Sequence, residues 1–217
     1  MYSKKFENVS SPILTLLFIG DSITEANRRL EKEADLGTGY VMMIAKRFSA
    51  EFPEIKARFL NRGVGGNRVR DLKNRWQKDC LDLRPDVVSI LIGINDVFGK
   101  YFWSRPTSTK SFEEDYRSLL DQTQDILNAK LILLTPFIVC LSKMQFIRKI
   151  FLQQKIKVVK KLSKEFGTIL VPLDSIFEEA LRNKAPAYWT TDGIHPTSMG
   201  HLLIAQSWIK AIKGKLF

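Results

Sequence analysis

Short apolar runs of strand length alternate along this chain with longer stretches in which apolar residues recur every three to four positions. Residues 13–19 form the first run. It stops at Gly20-Asp21-Ser22, which predicts a buried strand delivering Ser22 to the rim of a sheet. Residues 27–35 are almost all charged and read as a solvated loop or short helix. After the turn Leu36-Gly37-Thr38-Gly39, the spacing of Val41, Ile44, Ala45, Phe48 and Phe52 predicts an amphipathic helix over 39–52, ended by Pro53. A second strand, 57–60, runs into Asn61-Arg62-Gly63-Val64-Gly65-Gly66-Asn67, where Asn67 is placed to cap a helix through about Lys78 with Val69, Leu72 and Trp76 inside.

Residues 86–92 are β-branched and almost continuously apolar, as a central parallel strand covered on both faces requires. Gly93-Ile94-Asn95-Asp96 ends that strand, and a loop with Tyr101-Phe102-Trp103 follows. Ser111 and Glu114 have capping-box spacing for a helix burying Tyr116, Leu119, Leu120, Thr123 and Leu127. A fourth strand at 130–135 closes at Pro136, and 137–145 read as an apolar loop. The helix predicted at 145–166 places Val158, Val159, Leu162 and Phe166 on one face and Lys157, Lys160, Lys161 and Lys164 on the other. A fifth strand is expected at 168–173, then a short helix opened by Ser175 and Glu178, a loop over 186–197, and a helix over 198–212 burying Leu202, Ala205, Trp208, Ile209 and Ile212. Residues 1–12 are polar and read as an arm.

Strand and helix thus alternate through five strands with no internal repeat and no linker. This predicts an α/β fold: one domain over 1–217 with a five-stranded parallel sheet, helices on both faces and right-handed crossovers. Ligands bind such sheets beyond the carboxyl ends of the strands. Ser22 follows strand 1, the 63–67 turn follows strand 2 and Asn95 follows strand 3; Asp192 and His195 come after strand 5 and one short helix. All can meet on one rim.

Composition adds limits. Apolar and charged shares of 45% and 26% are ordinary for a globular chain of 217 residues. No apolar run has the length of a membrane span, and 13–19 lacks the cleavage site of a signal peptide. Cys80 and Cys140 fit no metal or redox pattern and read as two buried thiols in a reducing, cytoplasmic compartment. With only His195 and His201 as imidazoles, no zinc site is expected. The net charge of +11 admits nucleic acid, an anionic membrane or an acidic polymer as partner; without a nucleic-acid-binding motif, a lysine-rich soluble surface is the preferred reading. Gly63-Val64-Gly65-Gly66 matches neither a dinucleotide nor a P-loop fingerprint, and no cofactor is expected.

The chemistry open to the rim residues is acyl transfer. A serine hydroxyl needs a base; His195 is one of two imidazoles, and Asp192, three residues earlier, can orient it. Gly65 and Gly66 let the backbone approach a ligand, Asn95 carries a carboxamide donor, and the Ser22 N–H is a third candidate for an oxyanion site. Each stretch also has a plainer reading: Asp21 and Ser22 as a helix cap, Asp192 to Pro196 as a turn.

Together, GDSIT, NRGVGGN, GINDV and DGIHP resemble the four sequence blocks of the SGNH/GDSL hydrolases, in order and over nearly the whole chain. The resemblance implies a three-layer, flavodoxin-like serine hydrolase. It implies Ser22 as nucleophile, Asp192 and His195 as its triad partners, and Gly66 N–H with the Asn95 side chain as oxyanion donors. Gly65-Gly66 departs from the Ser-Gly pair common in that block, and the GxSxG elbow of α/β-hydrolases is absent. LGTGY, NRGVGGNRVRDLKNRW and GINDV with its aromatic loop look most like the cytoplasmic branch that includes acetylxylan esterases, which deacetylate short xylo-oligosaccharides and form homo-oligomers. Asp21, Tyr101, Trp103 and Trp189 are then substrate-contact candidates. Two rivals stay open. One is an acylhydrolase on a lysophospholipid, thioester or other small ester, favoured by an apolar groove at Phe137, Ile138 and Phe146. The other is a non-catalytic module binding an anion on the lysine stripe.

Overall fold

The computed structural model describes residues 13–98 and 105–216. Tyr101 and Trp103, and the arm expected at 1–12, lie outside the described residues. Five strands, β1 (Leu14–Gly20), β2 (Ala57–Gly63), β3 (Val87–Leu91), β4 (Lys130–Leu134) and β5 (Ile169–Val171), form one parallel sheet in the order β2-β1-β3-β4-β5. This is the flavodoxin-like order that the family resemblance implies, and it places the switch in winding direction between β1 and β3.

The helices are α1 (Ser22–Glu25), α2 (Tyr40–Glu51), α3 (Val69–Asp79), α4 (Asn95–Phe98), α5 (Thr109–Leu127), α6 (Lys143–Glu165), α7 (Leu173–Ala180), α8 (Pro186–Trp189) and α9 (Ser198–Ile212). Strand alternation divides the core in two. Leu16, Phe18, Val87 and Leu134 face α2 and α9, where they meet Val41, Ile44, Ile204 and Trp208. Leu17, Ile19, Val88 and Leu133 face α3, α5 and the second half of α6, where they meet Leu72, Trp76, Leu119 and Val159. Burial on both faces is why β3 reads as an almost continuous apolar run, interrupted only by the buried Ser89. At about 1.5–3 kcal/mol per fully buried large side chain, these two cores dominate the stability. Among the described residues, no helix is long and apolar enough to cross a membrane.

Several boundaries and caps differ from expectation. Asn67 does not cap α3: its side chain is held by Arg75, and the Asp71 and Asp96 carboxylates take the Arg68 and Val69 N–H groups at 2.8 and 3.1 Å. Ser108, not Ser111, caps α5, accepting the Ser111 N–H at 3.0 Å. Ser175 lies inside α7, whose Asp174 N–H is taken by Thr135 of the adjoining strand end at 3.1 Å. The loop expected over 186–197 contains α8. Cys140 is only half-buried, while Cys80 is buried and its thiol pushed up to about 12 by desolvation. Phe137 and Ile138 belong to the core, Phe137 stacked on Phe177, while Phe146 is exposed, so the three line no common groove.

Candidate active site

The site begins where β1 stops. A side chain at Gly20 would meet the Leu91 carbonyl at 2.2 Å, so only glycine lets β1 leave the sheet beside β3 here. Asp21 then caps α1, its carboxylate accepting the Ile23 N–H at 3.0 Å, and Ser22 starts the helical turn. The Ser22 Oγ lies 3.0 Å from His195 Nε2, and His195 Nδ1 lies 2.7 Å from Asp192 Oδ2. The other Asp192 oxygen accepts the Ile194 and His195 N–H groups at 2.9 and 2.8 Å. Burial pushes the Asp192 carboxyl up, but its hydrogen bonds from the His195 N–H, the His195 ring and the Ile194 N–H outweigh this and hold it below the usual carboxylate range. An ionised Asp192 draws the ring proton to Nδ1 and leaves Nε2 free to accept from the serine.

The Asp192–His195 segment is not a helix cap. Thr197 performs that task, accepting the Gly200 N–H at 3.2 Å. The loop closes through a bridge between Thr190 and Pro196 and is anchored from outside. Val139 N–H donates to the Gly193 carbonyl at 2.8 Å, and the Gln145 side chain donates to the Asp192 carbonyl at 2.6 Å. His195 and Asp192 side chains are about half exposed, at 49% and 51%, so a ligand can reach them.

Across the rim, Gly66 has φ +77°, in the left-handed region, and Asn95 donates through Nδ2 to the Asn67 carbonyl at 3.1 Å. A carboxamide has two such hydrogens, and the second meets no acceptor among the described residues. The Gly65 N–H is engaged by the Glu25 carboxylate. The fold therefore brings Ser22, Gly66, Asn95, Asp192 and His195 to one end of the sheet.

Two other candidates fall elsewhere. Asp21 is 1% exposed, with its carboxyl pushed up to about 7, chiefly by burial; it lies beneath the site and presents no surface to a substrate. Trp189 donates its indole N–H to the Ala180 carbonyl at 3.2 Å and lines a separate groove of about 850 Å³ with Ile176 and Leu203, between α7 and α9. The second imidazole, His201, accepts the Tyr40 N–H at 3.2 Å and is driven down to about 4, first by burial and then by His195. Sequence reasoning assigned no role to Glu25, Arg75 and Gln145, whose partners here are largely main-chain groups, although Glu25 stands next to GDSIT and Arg75 lies within the stretch NRGVGGNRVRDLKNRW.

With this geometry in place, kinship follows. A model of the GDSL-like lipase/acylhydrolase family matches residues 18–203. The chain belongs to this family. This GDSL hydrolase is 37% identical over 205 residues to an acetylxylan esterase of Geobacillus stearothermophilus, covering 91% of this chain and 93% of that protein. The crystal structure of an acetylxylan esterase from the same organism matches it with a TM-score of 0.84 at 36% identity, over 92% of this chain and 94% of that one. A putative GDSL-like lipase from Parabacteroides merdae matches with a TM-score of 0.86 at 34% identity, over 92% and 95% of the two chains. Solved forms of the Geobacillus enzyme include catalytic mutants in which a serine or an aspartate is replaced by alanine.

Proposed function

We propose that this ester hydrolase removes acetyl groups from short xylo-oligosaccharides through an acyl-enzyme on Ser22. The observation that carries the reading is the unbroken hydrogen-bonded chain from Ser22 through His195 to Asp192. In this mechanism Ser22 Oγ attacks the ester carbonyl while His195 Nε2 takes its proton, and Asp192 stabilises the imidazolium. The Ser22 and Gly66 N–H groups and the Asn95 carboxamide receive the oxyanion. His195 returns the proton to the departing sugar hydroxyl. Water, activated by the same imidazole, then attacks the acetyl-serine and releases acetate.

Kinship with acetylxylan esterases supports the acetyl-sugar substrate. The competing readings have less behind them. A long-chain acylhydrolase needs an apolar groove, and Phe137 and Ile138 are sealed in the core. An anion-binding module needs free lysines, yet Lys160 pairs with Asp174 at 2.7 Å and Lys161 with Glu113 at 2.6 Å. The unpaired Cys80 and Cys140 support a reducing, cytoplasmic setting. Assembly into homo-oligomers, which the sequence resemblance to that branch implies, completes the proposal and is read by light scattering.

The test pairs labelling with a substrate series. An organophosphonate adds once, at Ser22, and acetylated xylo-oligosaccharides are hydrolysed faster than longer acyl esters. Labelling at another residue, or full activity in Ser22→Ala, overturns the mechanism. Preference for long acyl chains overturns the substrate.

A further inference from the structure

Three of the five residues from Gly63 to Asn67 are glycine, so this turn has few side chains of its own to fix it. It is fixed from outside. Arg28 donates to the Gly63 carbonyl at 3.0 Å, and Glu25 accepts from the Gly65 N–H. The most extensive hold comes from Arg75 on α3, which lies beyond the NRGVGGN block and to which the sequence reading gave no role. Its Nε donates to Asn67 Oδ1 at 2.9 Å. Its Nη2 donates to the Arg62 carbonyl at 2.8 Å and to the Gly20 carbonyl at 3.2 Å. Its Nη1 meets Asp79 Oδ2 at 2.7 Å, which sets the plane of the fork, and the side chain is 18% exposed.

These contacts bracket the oxyanion donors proposed above. Gly20 lies two residues before Ser22. Arg62 leads into the glycine turn. Asn67 follows Gly66, and its own carbonyl holds the Asn95 carboxamide at 3.1 Å. A single rigid cation therefore touches the end of β1, the end of β2 and the residue that orients Asn95. We infer that Arg75 is the positioning residue of the oxyanion hole, setting the spacing between the Ser22 N–H, the Gly66 N–H and the Asn95 side chain. This rests on the role given to those three groups under the proposed function. A planar guanidinium can serve four acceptors in a fixed fork, whereas a lysine ammonium on a flexible stem cannot hold their mutual distances.

The experiment uses Arg75→Lys, Arg75→Ala and Asn67→Ala, assayed on an acetyl ester, with the urea unfolding midpoint measured for each. Asn67→Ala cuts the link between Arg75 and the turn while leaving the bonds of Arg75 to both strand ends and the peptide carbonyl of residue 67. Arg75→Lys and Asn67→Ala are expected to lower kcat by about 10-fold to 100-fold with KM changed less than about threefold, because a misplaced donor is felt in the transition state. Millimolar guanidinium restores part of the lost kcat in Arg75→Ala and none in Asn67→Ala. If Asn67→Ala keeps kcat within about twofold of the parent, or if lost activity only follows lost folded protein, the inference is overturned. Ser22 labelling in the parent separates the two failures. A labelled Ser22 with unchanged kcat in Asn67→Ala removes the role of Arg75 alone, whereas full activity in Ser22→Ala removes the mechanism and the role of Arg75 with it.

Discussion

Asn95 shows how one side chain can serve fold and chemistry together. One carboxamide hydrogen holds the Asn67 carbonyl across the rim, and the other meets no acceptor among the described residues. In Asn95→Ala the structural bond alone costs about 1 kcal/mol of stability. If the second hydrogen receives the oxyanion, kcat falls by about 10² to 10³ with KM little changed, since the bond matters mainly in the transition state. Measuring kcat, KM and the unfolding midpoint together separates these effects, and a stability loss with unchanged kcat removes Asn95 from the mechanism. At this scale the sequence was legible where chemistry comes in fixed patterns. Asp192 and His195 sit three residues apart on one loop, so their pairing needs no long-range assembly. Glu25, Arg75 and Gln145 were not legible, because each holds a backbone group that no residue identity announces.

The elements are legible in periodicity and the parallel, right-handed sheet in their alternation, whereas the strand order β2-β1-β3-β4-β5 was implied only by the resemblance to SGNH/GDSL hydrolases. The ends of the elements were harder, because caps are supplied through space. Thr135, at the end of β4, both accepts the Asp174 N–H and donates to the Asp174 carboxylate, at 3.1 and 2.7 Å. No local signal at Ser175 competes with it. Thr135→Val keeps the shape and removes both bonds, so it is expected to destabilise the protein by about 1–2 kcal/mol while kcat of the folded fraction stays unchanged. An unmoved urea midpoint would show that α7 needs no cap from β4. The apolar face of α6, opposite its lysine stripe, carries a lysine of its own. Lys155, 4% exposed, turns inward, donates to the Thr107 carbonyl at 2.7 Å and sits 5.5 Å from the Phe112 ring centre. Its charge stays buried because it secures residues 107–109 at the start of α5, a need that a helical wheel cannot display.

Over the whole molecule, buried ionisable groups make stability depend on pH in opposing directions. Burial raises Asp96 from 3.8 to about 6 and Asp21 to about 7. The unfolded chain loses these protons first, so their contribution is complete below about pH 4 and is lost as pH rises through 6 to 7. His201 behaves in the other sense. Its folded value of about 4 lies below the unperturbed 6.5, so its contribution is present above pH 6.5 and lost as pH falls towards 4. Asp96→Asn should therefore gain stability relative to the parent between pH 5 and 7.5, by on the order of 2 kcal/mol. His201→Asn should gain relative to the parent as pH falls from 7 to 4.5. Urea midpoints at these pH values decide both, and parallel pH profiles for parent and variants would contradict the burial argument.

The separation of the site's parts along the chain also has a consequence in time. Ser22 and His195 lie 173 positions apart, and α9, whose Trp208 is hydrogen-bonded to Ser89 at 3.0 Å, follows later still. Ribosomes add about 5–20 residues per second, so Ser22 is made roughly 9 to 35 s before His195. With His195 as the base proposed above, a nascent, stalled or truncated chain that lacks residue 195 has a serine without a proton acceptor and hydrolyses no ester. Under that mechanism hydrolysis becomes possible only when translation has passed residue 195, so the order of synthesis itself keeps Ser22 silent until the protein around it can be completed.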